Sequence, residues 1–104
     1  MLTELTCSRI DKSVPPMPLS EAKKLLNEVP GWTLDGPALM REFAFKDFVQ
    51  AMQFVNKVAD LANREDHHPD IRVSYNKVRL DLSTHKIGGL SMNDFILAAK
   101  IGQI

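Results

Sequence analysis

Residues 71–84 read IRVSYNKVRLDLST, and this stretch decides the fold class of the chain. Ile71, Val73 and Tyr75 alternate with polar residues in its first half. The second half alternates in the same way, with apolar residues at Val78, Leu80 and Leu82. Such alternation predicts two antiparallel strands with one covered face, and with Tyr75 in the core. Between the strands, Asn76-Lys77 predicts a two-residue turn, because asparagine tolerates positive φ.

The preceding segment, KDFVQAMQFVNKVADLANRED (residues 46–66), has the spacing of an amphipathic helix. Its apolar residues recur at steps of three and four and predict one broad face packed in the core. They are Phe48, Met52, Val55, Ala59 and Ala62, with Val49, Val58 and Leu61 beside them. Pro69 disfavours helical geometry at the residue before it, so this helix is expected to end near Asp66.

The remaining segments complete the order of elements. WTLDG (residues 32–36) and ALMREFAF (residues 38–45) predict two strands around the turn signal Asp35-Gly36. Ser20 is expected to cap a helix from Glu21 to about Glu28, which Pro30-Gly31 ends. LSMNDFILAAKIGQI (residues 90–104) predicts a last helix, with Phe95, Ala98 and Ala99 spaced for burial.

This order predicts an α+β fold: a two-layer ββαββα domain, plus an N-terminal helix. The four strands form an antiparallel sheet with the helices packed on one face. Residues 1–18 form an N-terminal arm, because SVPPMP (residues 13–18) is too rich in proline for a helix interior. Residues 19–104 form the single domain. A domain of this size has a thin core, so a homodimer or homotetramer is expected.

Composition narrows the class of function. Thirteen basic residues balance thirteen acidic residues, so no nucleic-acid partner is expected. One cysteine, Cys7, indicates a reducing compartment. No apolar run approaches a membrane span and the N-terminus does not resemble a signal peptide, so the expected location is cytoplasmic.

The chain has three histidines, and all of them lie where elements meet. His67 and His68 follow the long helix, and His85 follows the last strand, just before the flexible Gly88-Gly89. Sites are commonly built at such junctions. Each histidine also has a simpler interpretation, as a favourable charge at a helix end or as a solvated loop residue. Asp94 has one as well, since Ser91 and Asp94 have the spacing of a capping box.

Two other kinds of site fit the residues less well. Three histidines could bind zinc, but adjacent His67 and His68 are awkward ligands for one tetrahedral ion. A Ser-His-Asp hydrolase would need a nucleophile elbow such as G-x-S-x-G, which the chain lacks.

A compound motif carries a family resemblance. HHPDI (residues 67–71), YNKV (residues 75–78) and LSTHKIGGLSMNDF (residues 82–95) occur in a fixed order. With PGWTLDG (residues 30–36) and REFAFKDFVQAMQFVNKVADLA (residues 41–62), they resemble the bacterial pterin-4a-carbinolamine dehydratases over residues 20–104. The resemblance implies an enzyme that removes water from 4a-hydroxytetrahydropterin, giving the quinonoid dihydropterin used in cofactor regeneration. It implies no metal and no organic cofactor, because the pterin ring supplies the electrons.

The resemblance also implies the site residues. His67, His68 and His85 fall on the family's active-site histidines. The substrate-binding residues would be these three histidines together with Asp66, Pro69, Ser83, Thr84, Lys86 and Asp94. We expect His67 and His85 to act as acid and base. We expect His68 to hold the pterin. We expect Asp66 and Asp94 to favour the protonated form of a neighbouring histidine or to fix its tautomer.

The chain departs from the family at two positions. Asn63 stands where the family often has glutamate, so Glu65 or Asp66 is expected to take over any role of that glutamate. Ile71 stands where animal members often have tryptophan.

Two alternative functions stay open at this stage. Some animal relatives are dimerisation cofactors of a transcription factor, and a protein-binding module would show an exposed apolar stripe around Ile96, Ile101 and Ile104. Self-association would explain the same stripe. A pterin-related role in support of molybdopterin enzymes would use the same pocket.

Overall fold

The computed structural model describes residues 2–104 and has the predicted α+β architecture. The helices are α1 (Leu19–Leu25), α2 (Phe48–Glu65) and α3 (Met92–Ile101), and the strands are β1 (Thr33–Asp35), β2 (Ala38–Ala44), β3 (Asp70–Ser74) and β4 (Lys77–Leu82). Single turns of 3₁₀ helix occupy Leu2–Glu4, Leu26–Glu28 and His85–Ile87. The four strands form one antiparallel sheet in the order β1-β2-β4-β3.

The sheet has one buried face, as the alternation in β4 predicts. Val78, Leu80 and Leu82 are completely buried, and Leu39 of β2 lies beside Leu82 in the register. The alternation of β2 is interrupted by Arg41, whose parity points to the core. Its guanidinium lies 4.5 Å from the centroid of the Phe43 ring and donates to the Pro30 carbonyl at 3.4 Å. The stacked arginine therefore replaces an apolar side chain at this position.

The long helix begins and ends as predicted, but its buried face is narrower. Asp47 caps the helix by accepting from the Gln50 N–H at 2.9 Å. The buried residues are Ala51, Phe54, Val58, Leu61 and Ala62. Phe48 and Val49 are 48% and 63% exposed. Their predicted burial is wrong, because the first turn of α2 extends beyond the surface that the core covers.

The hairpin between β3 and β4 turns one residue earlier than predicted. Ser74 pairs with Lys77, so Tyr75 and Asn76 form the turn. Asn76 instead holds the end of β2, through bonds from its Nδ2 to the Phe45 carbonyl and from the Phe45 N–H to its own carbonyl. Tyr75 takes the positive φ of 52° and is 66% exposed, so its predicted burial is also wrong.

The start of α1 and the burial of α3 each differ from what the sequence predicted. Helix α1 begins at Leu19, and the N–H groups of Glu21 and Ala22 donate to the Pro18 carbonyl. Ser20 therefore lies within the first turn and is not the cap. In α3, Ile96 and Ile101 are buried among core residues. Only Ile104 of the proposed apolar stripe is exposed, so the stripe expected of a protein-binding or self-associating helix is absent here.

Candidate active site

A cavity of about 250 Å³ lies where the end of α2 meets the loop after β4. All three histidines line it, although His85 is 17 residues or more from the other two. The other lining residues are Ser8, Arg9, Ile10, Asp66, Ser83, Thr84, Lys86 and Asn93. A wider surface groove of about 810 Å³ between α2 and α3 contains no histidine. We take the smaller cavity as the candidate site because its lining residues can transfer protons.

The end of α2 brings both adjacent histidines to this cavity. Asp66 adopts a left-handed conformation, with φ 52° and ψ 41°, and the His67 N–H donates back to the Ala62 carbonyl at 3.1 Å. This is a typical helix-terminating turn, made here by an aspartate. The bend redirects the chain before Pro69. It explains how His67 and His68, which would diverge in a straight extended chain, line the same cavity. Pro69 itself is half-buried and does not line it.

The shortest contact made by a histidine of this site joins His67 to Asp94. The His67 Nε2 lies 2.6 Å from the Asp94 Oδ1, and the histidine side chain is 12% exposed while the aspartate is completely buried. The other oxygen, Asp94 Oδ2, accepts from the Thr84 hydroxyl and from the Ser91 N–H, both at 2.9 Å. Asp94 therefore belongs to the capping box of α3 and also contacts a histidine. The capping-box prediction is confirmed, and the role of Asp94 in the site stays a prediction.

The hydrogen bonds around Asp94 specify where protons lie. The single Thr84 hydroxyl proton points to Asp94, so the Ser91 hydroxyl, 2.6 Å from the Thr84 oxygen, donates to Thr84. Asp94 Oδ2 thus accepts two donors, which suits an ionised carboxylate. Its Oδ1 needs an N–H from His67, which puts a proton on Nε2 and leaves Nδ1 as the nitrogen available to exchange a proton.

His68 is held by Asn63, the residue that stands where the family often has glutamate. The Asn63 Oδ1 lies 2.9 Å from the His68 Nε2. The expectation that Glu65 replaces the missing glutamate is wrong, because Glu65 accepts from the Cys7 N–H at 2.9 Å and from the Lys100 ammonium at 2.8 Å. Those bonds lower the pKa of Glu65 below its ordinary value, the Cys7 N–H first and Lys100 second. Asp66 lines the cavity but has no hydrogen bond to a histidine among residues 2–104.

The third histidine lies on a short turn after β4. Thr84 pairs with Gly89 as an isolated bridge, and the chain between them forms the 3₁₀ turn His85–Ile87. Gly88 closes the turn with φ 67°, a conformation that favours glycine. His85 is exposed, and within the described part of the chain its imidazole has no hydrogen-bond partner. Both of its nitrogens are thus open to a ligand.

Asn93 and the N-terminal arm are parts of the site that the sequence did not indicate. Ser8, Arg9 and Ile10 line the cavity, and Asn93 bonds the backbone of Ser8 in both directions. The proline-rich stretch near them predicts only an irregular arm, and such a segment has no periodicity from which to infer its contacts. The arm also reaches the core, where Leu2 is buried.

Comparison with known proteins shows the family of this chain. The family model for pterin 4 alpha carbinolamine dehydratase matches residues 15–104. A Nitrosospira multiformis protein is 48% identical over 91% of this chain and 84% of its own length, and a Nitrosomonas europaea protein is 46% identical over 99% and 92%. Both relatives bear the name "putative pterin-4-alpha-carbinolamine dehydratase". The chain belongs to the pterin-4a-carbinolamine dehydratase family.

Solved structures support the same fold. A Brucella melitensis crystal structure, described as a transcriptional coactivator/pterin dehydratase, has a TM-score of 0.79 and 36% identity. The match covers 85% of this chain and 96% of that one. A pterin dehydratase-like protein identified as a RuBisCO assembly factor of the alpha-carboxysome is 22% identical, with a TM-score of 0.57, and shows the likeness of fold alone.

No helix within residues 2–104 combines the length and the hydropathy that a bilayer crossing requires. In the same residues, no three His, Cys, Asp or Glu side chains are grouped closely enough to bind a metal ion.

Proposed function

We propose that this protein dehydrates 4a-hydroxytetrahydrobiopterin, a pterin-4a-carbinolamine, to quinonoid dihydropterin and water. The reaction would serve the regeneration of a tetrahydropterin cofactor. Membership of the family supports the substrate class. The observation that carries the proposal is the meeting of His67, His68 and His85 on one small cavity.

The reaction needs one proton delivered and one removed. The bond from C4a to the hydroxyl oxygen breaks, and the departing oxygen takes a proton from a general acid. The neighbouring ring N–H gives its proton to a general base, and its electrons form the new carbon–nitrogen double bond. Imidazole, with an ordinary pKa of roughly 6.5, can fill either role near neutral pH. Two histidines on one cavity therefore match the proton balance of the reaction.

We assign the acid and base roles to His67 and His85. Asp94 positions His67 through Nε2, so Nδ1 exchanges the proton. His85 has no competing partner among the described residues and is exposed, which suits a group that must exchange its proton with solvent between turnovers. His68, held by Asn63, is assigned to binding the pterin. Asp66, Ser83, Thr84 and Lys86 line the same cavity and complete the proposed substrate-binding set, whereas Pro69 lies outside the cavity.

The test is the rate of dehydration of freshly generated carbinolamine. His67→Ala and His85→Ala are each expected to lower kcat by about 10²–10⁴-fold, the usual contribution of a positioned acid or base. His68→Ala is expected to raise KM more than it lowers kcat. Gln53→Ala, on the exposed side of α2, is the control and should keep the parent rate. Parent rates in both His67→Ala and His85→Ala would refute the assignment.

The alternative of a transcriptional cofactor has less support in this chain. The name of the Brucella melitensis protein includes coactivator activity. However, the apolar stripe that would bind a partner helix is mostly in the core, with Ile101 1% exposed. A pathway that supports molybdopterin enzymes would use the same cavity, because the pterin ring is the same. The other enzymes of the host therefore decide which pathway the protein serves.

A further inference from the structure

The N-terminal arm is fastened beside the histidine cavity, although its first 14 residues lie outside the region that the family model matches. The Asn93 Oδ1 accepts from the Ser8 N–H at 3.0 Å, and the Asn93 Nδ2 donates to the Ser8 carbonyl at 2.6 Å. The Cys7 N–H donates to Glu65 of α2. The arm is therefore bonded to both long helices. Because Asn93 precedes Asp94, the position of the arm is tied to that of His67.

This placement puts cations at the mouth of the site. Arg9 of the arm and Lys86 of the turn after β4 both line the histidine cavity. A neighbouring cavity of about 510 Å³ shares Arg9 and Lys86 and adds Lys12. None of the three cations forms an ion pair within residues 2–104. The two cavities thus lie side by side, with Arg9 and Lys86 lining both.

Two acidic residues also lie at this mouth, and they do not neutralise it. Asp66 lines the histidine cavity without pairing to a cation. Asp11 lines the neighbouring cavity, where its Oδ1 accepts from the Ser13 N–H at 3.0 Å and stabilises a turn. Three cations face two carboxylates, one of which already accepts a backbone N–H. The local charge therefore favours an anion.

A neutral pterin ring gives no reason for this arrangement. A ring that lies among the imidazoles with its side-chain edge toward the mouth would bring that side chain to the neighbouring cavity. An arginine fork matches the oxygens of a phosphate group, and a nearby lysine adds a second positive charge. Unpaired cations in a concave surface raise the local concentration of an anionic ligand.

We propose that this site selects reduced pterins whose side chain carries a phosphate monoester, with Arg9 and Lys86 as the specificity-determining residues. The inference rests on the proposed function, since it requires the pterin ring to bind among the histidines, and it makes the biopterin carbinolamine, whose side chain has no phosphate, a weaker substrate of the same dehydration. Asn93 is a positioning residue in this scheme, because it holds the arm that carries Arg9.

The experiment compares two stable ligands, 7,8-dihydropterin with a trihydroxypropyl side chain and the same compound as its terminal phosphate. Dissociation constants are measured at low salt for the parent protein and for Arg9→Gln, Lys86→Gln and Asn93→Ala. Lys24→Gln is the matched control, since Lys24 is exposed on α1 and lines neither cavity. The parent protein should bind the phosphate form about fivefold to tenfold more tightly, the scale of one partly exposed charge-assisted contact.

Each outcome decides the inference. The measured quantity is the affinity for the phosphate form divided by the affinity for the unphosphorylated form. The inference is supported if Arg9→Gln, Lys86→Gln and Asn93→Ala each lower this ratio while Lys24→Gln leaves it unchanged. Added salt should also lower the ratio in the parent protein. Equal affinities in a parent protein that dehydrates the carbinolamine would overturn this inference and leave the proposed function intact. An unchanged ratio in both Arg9→Gln and Lys86→Gln would overturn it too. A protein that neither binds the pterins nor dehydrates the carbinolamine would overturn both.

Discussion

Replacing Asp94 by asparagine tests how the site controls its protons. The side chain keeps its shape, but one oxygen becomes an NH₂ group. Thr84 and Ser91 both donate to Oδ2, so the remaining oxygen is expected to keep that position and the NH₂ to face His67. An NH₂ group donates, so Nε2 must become the acceptor and the proton moves to Nδ1. The nitrogen that we assign to catalysis is then blocked.

The size of the effect follows from the bonds. The Asp94 carboxylate makes three hydrogen bonds, one at Oδ1 and two at Oδ2. With a neutral amide in its place, each bond is weaker by about 1 kcal/mol. We therefore expect the free energy of unfolding to fall by about 2–3 kcal/mol. For a domain of this size, that loss lowers Tm by roughly 10–20 °C. Removing His67 from proton transfer should lower kcat by about 10²-fold or more.

The assay separates these two effects. Dehydration is measured well below the Tm of the variant, and stability is measured by urea unfolding. Ser91→Ala is the control, because it removes a hydroxyl of the same capping box without touching His67. It should cost about 1 kcal/mol of stability and change kcat little. A folded Asp94→Asn protein with parent kcat would refute the assignment of His67 Nδ1 as the reacting nitrogen.

Four further predictions follow from individual contacts. Asn63→Ala removes the hydrogen bond to His68 and should raise KM more than it lowers kcat, which steady-state kinetics would show. The pKa of Glu65 is lowered in the folded chain, so the ionised carboxylate stabilises the fold above pH 4.5. This stabilisation is lost as the pH falls from 4.5 through the folded pKa. In urea unfolding, the difference in stability between the parent and Glu65→Gln should therefore shrink below pH 4.5. Burial, with the charge of Glu65, raises the pKa of the Cys7 thiol to about 12, so iodoacetamide at pH 8 should alkylate the folded protein much more slowly than the urea-unfolded chain. Leu80→Ala leaves a cavity under the centre of the sheet and should cost about 2–5 kcal/mol in the same unfolding assay.

Local patterns were sufficient for most of the fold. The helical spacing of residues 46–66 and the alternation of β4 predicted α2 and the buried face of the sheet. Pro69 predicted the end of α2 near Asp66, which is the C-cap residue. The spacing of Ser91 and Asp94 predicted the capping box of α3. Each of these features depends on residues that are close together in the chain, so a single sequence is enough to predict it.

Two of the errors arose where a distant residue decides the outcome. The turn falls on Tyr75 because Asn76 bonds Phe45, which is 31 residues away. Glu65 cannot replace the missing glutamate because it is bonded to Cys7 and Lys100.

The candidate site shows the same division between local and distant contacts. The three histidines could be named from the motif, but the bend at Asp66 that directs two of them into one cavity comes from backbone geometry. The arm, with Ser8 and Arg9 at the cavity, has no local pattern at all. Its place depends on Asn93, which is 85 residues from Ser8.

A crystal structure with bound 7,8-dihydropterin would test the central claim most directly. We expect the bicyclic ring in the cavity of about 250 Å³, within hydrogen-bonding distance of His67 or His85 and in contact with His68. A ring bound in the groove of about 810 Å³ between α2 and α3, with the histidine cavity empty in the same crystal, would contradict the claim.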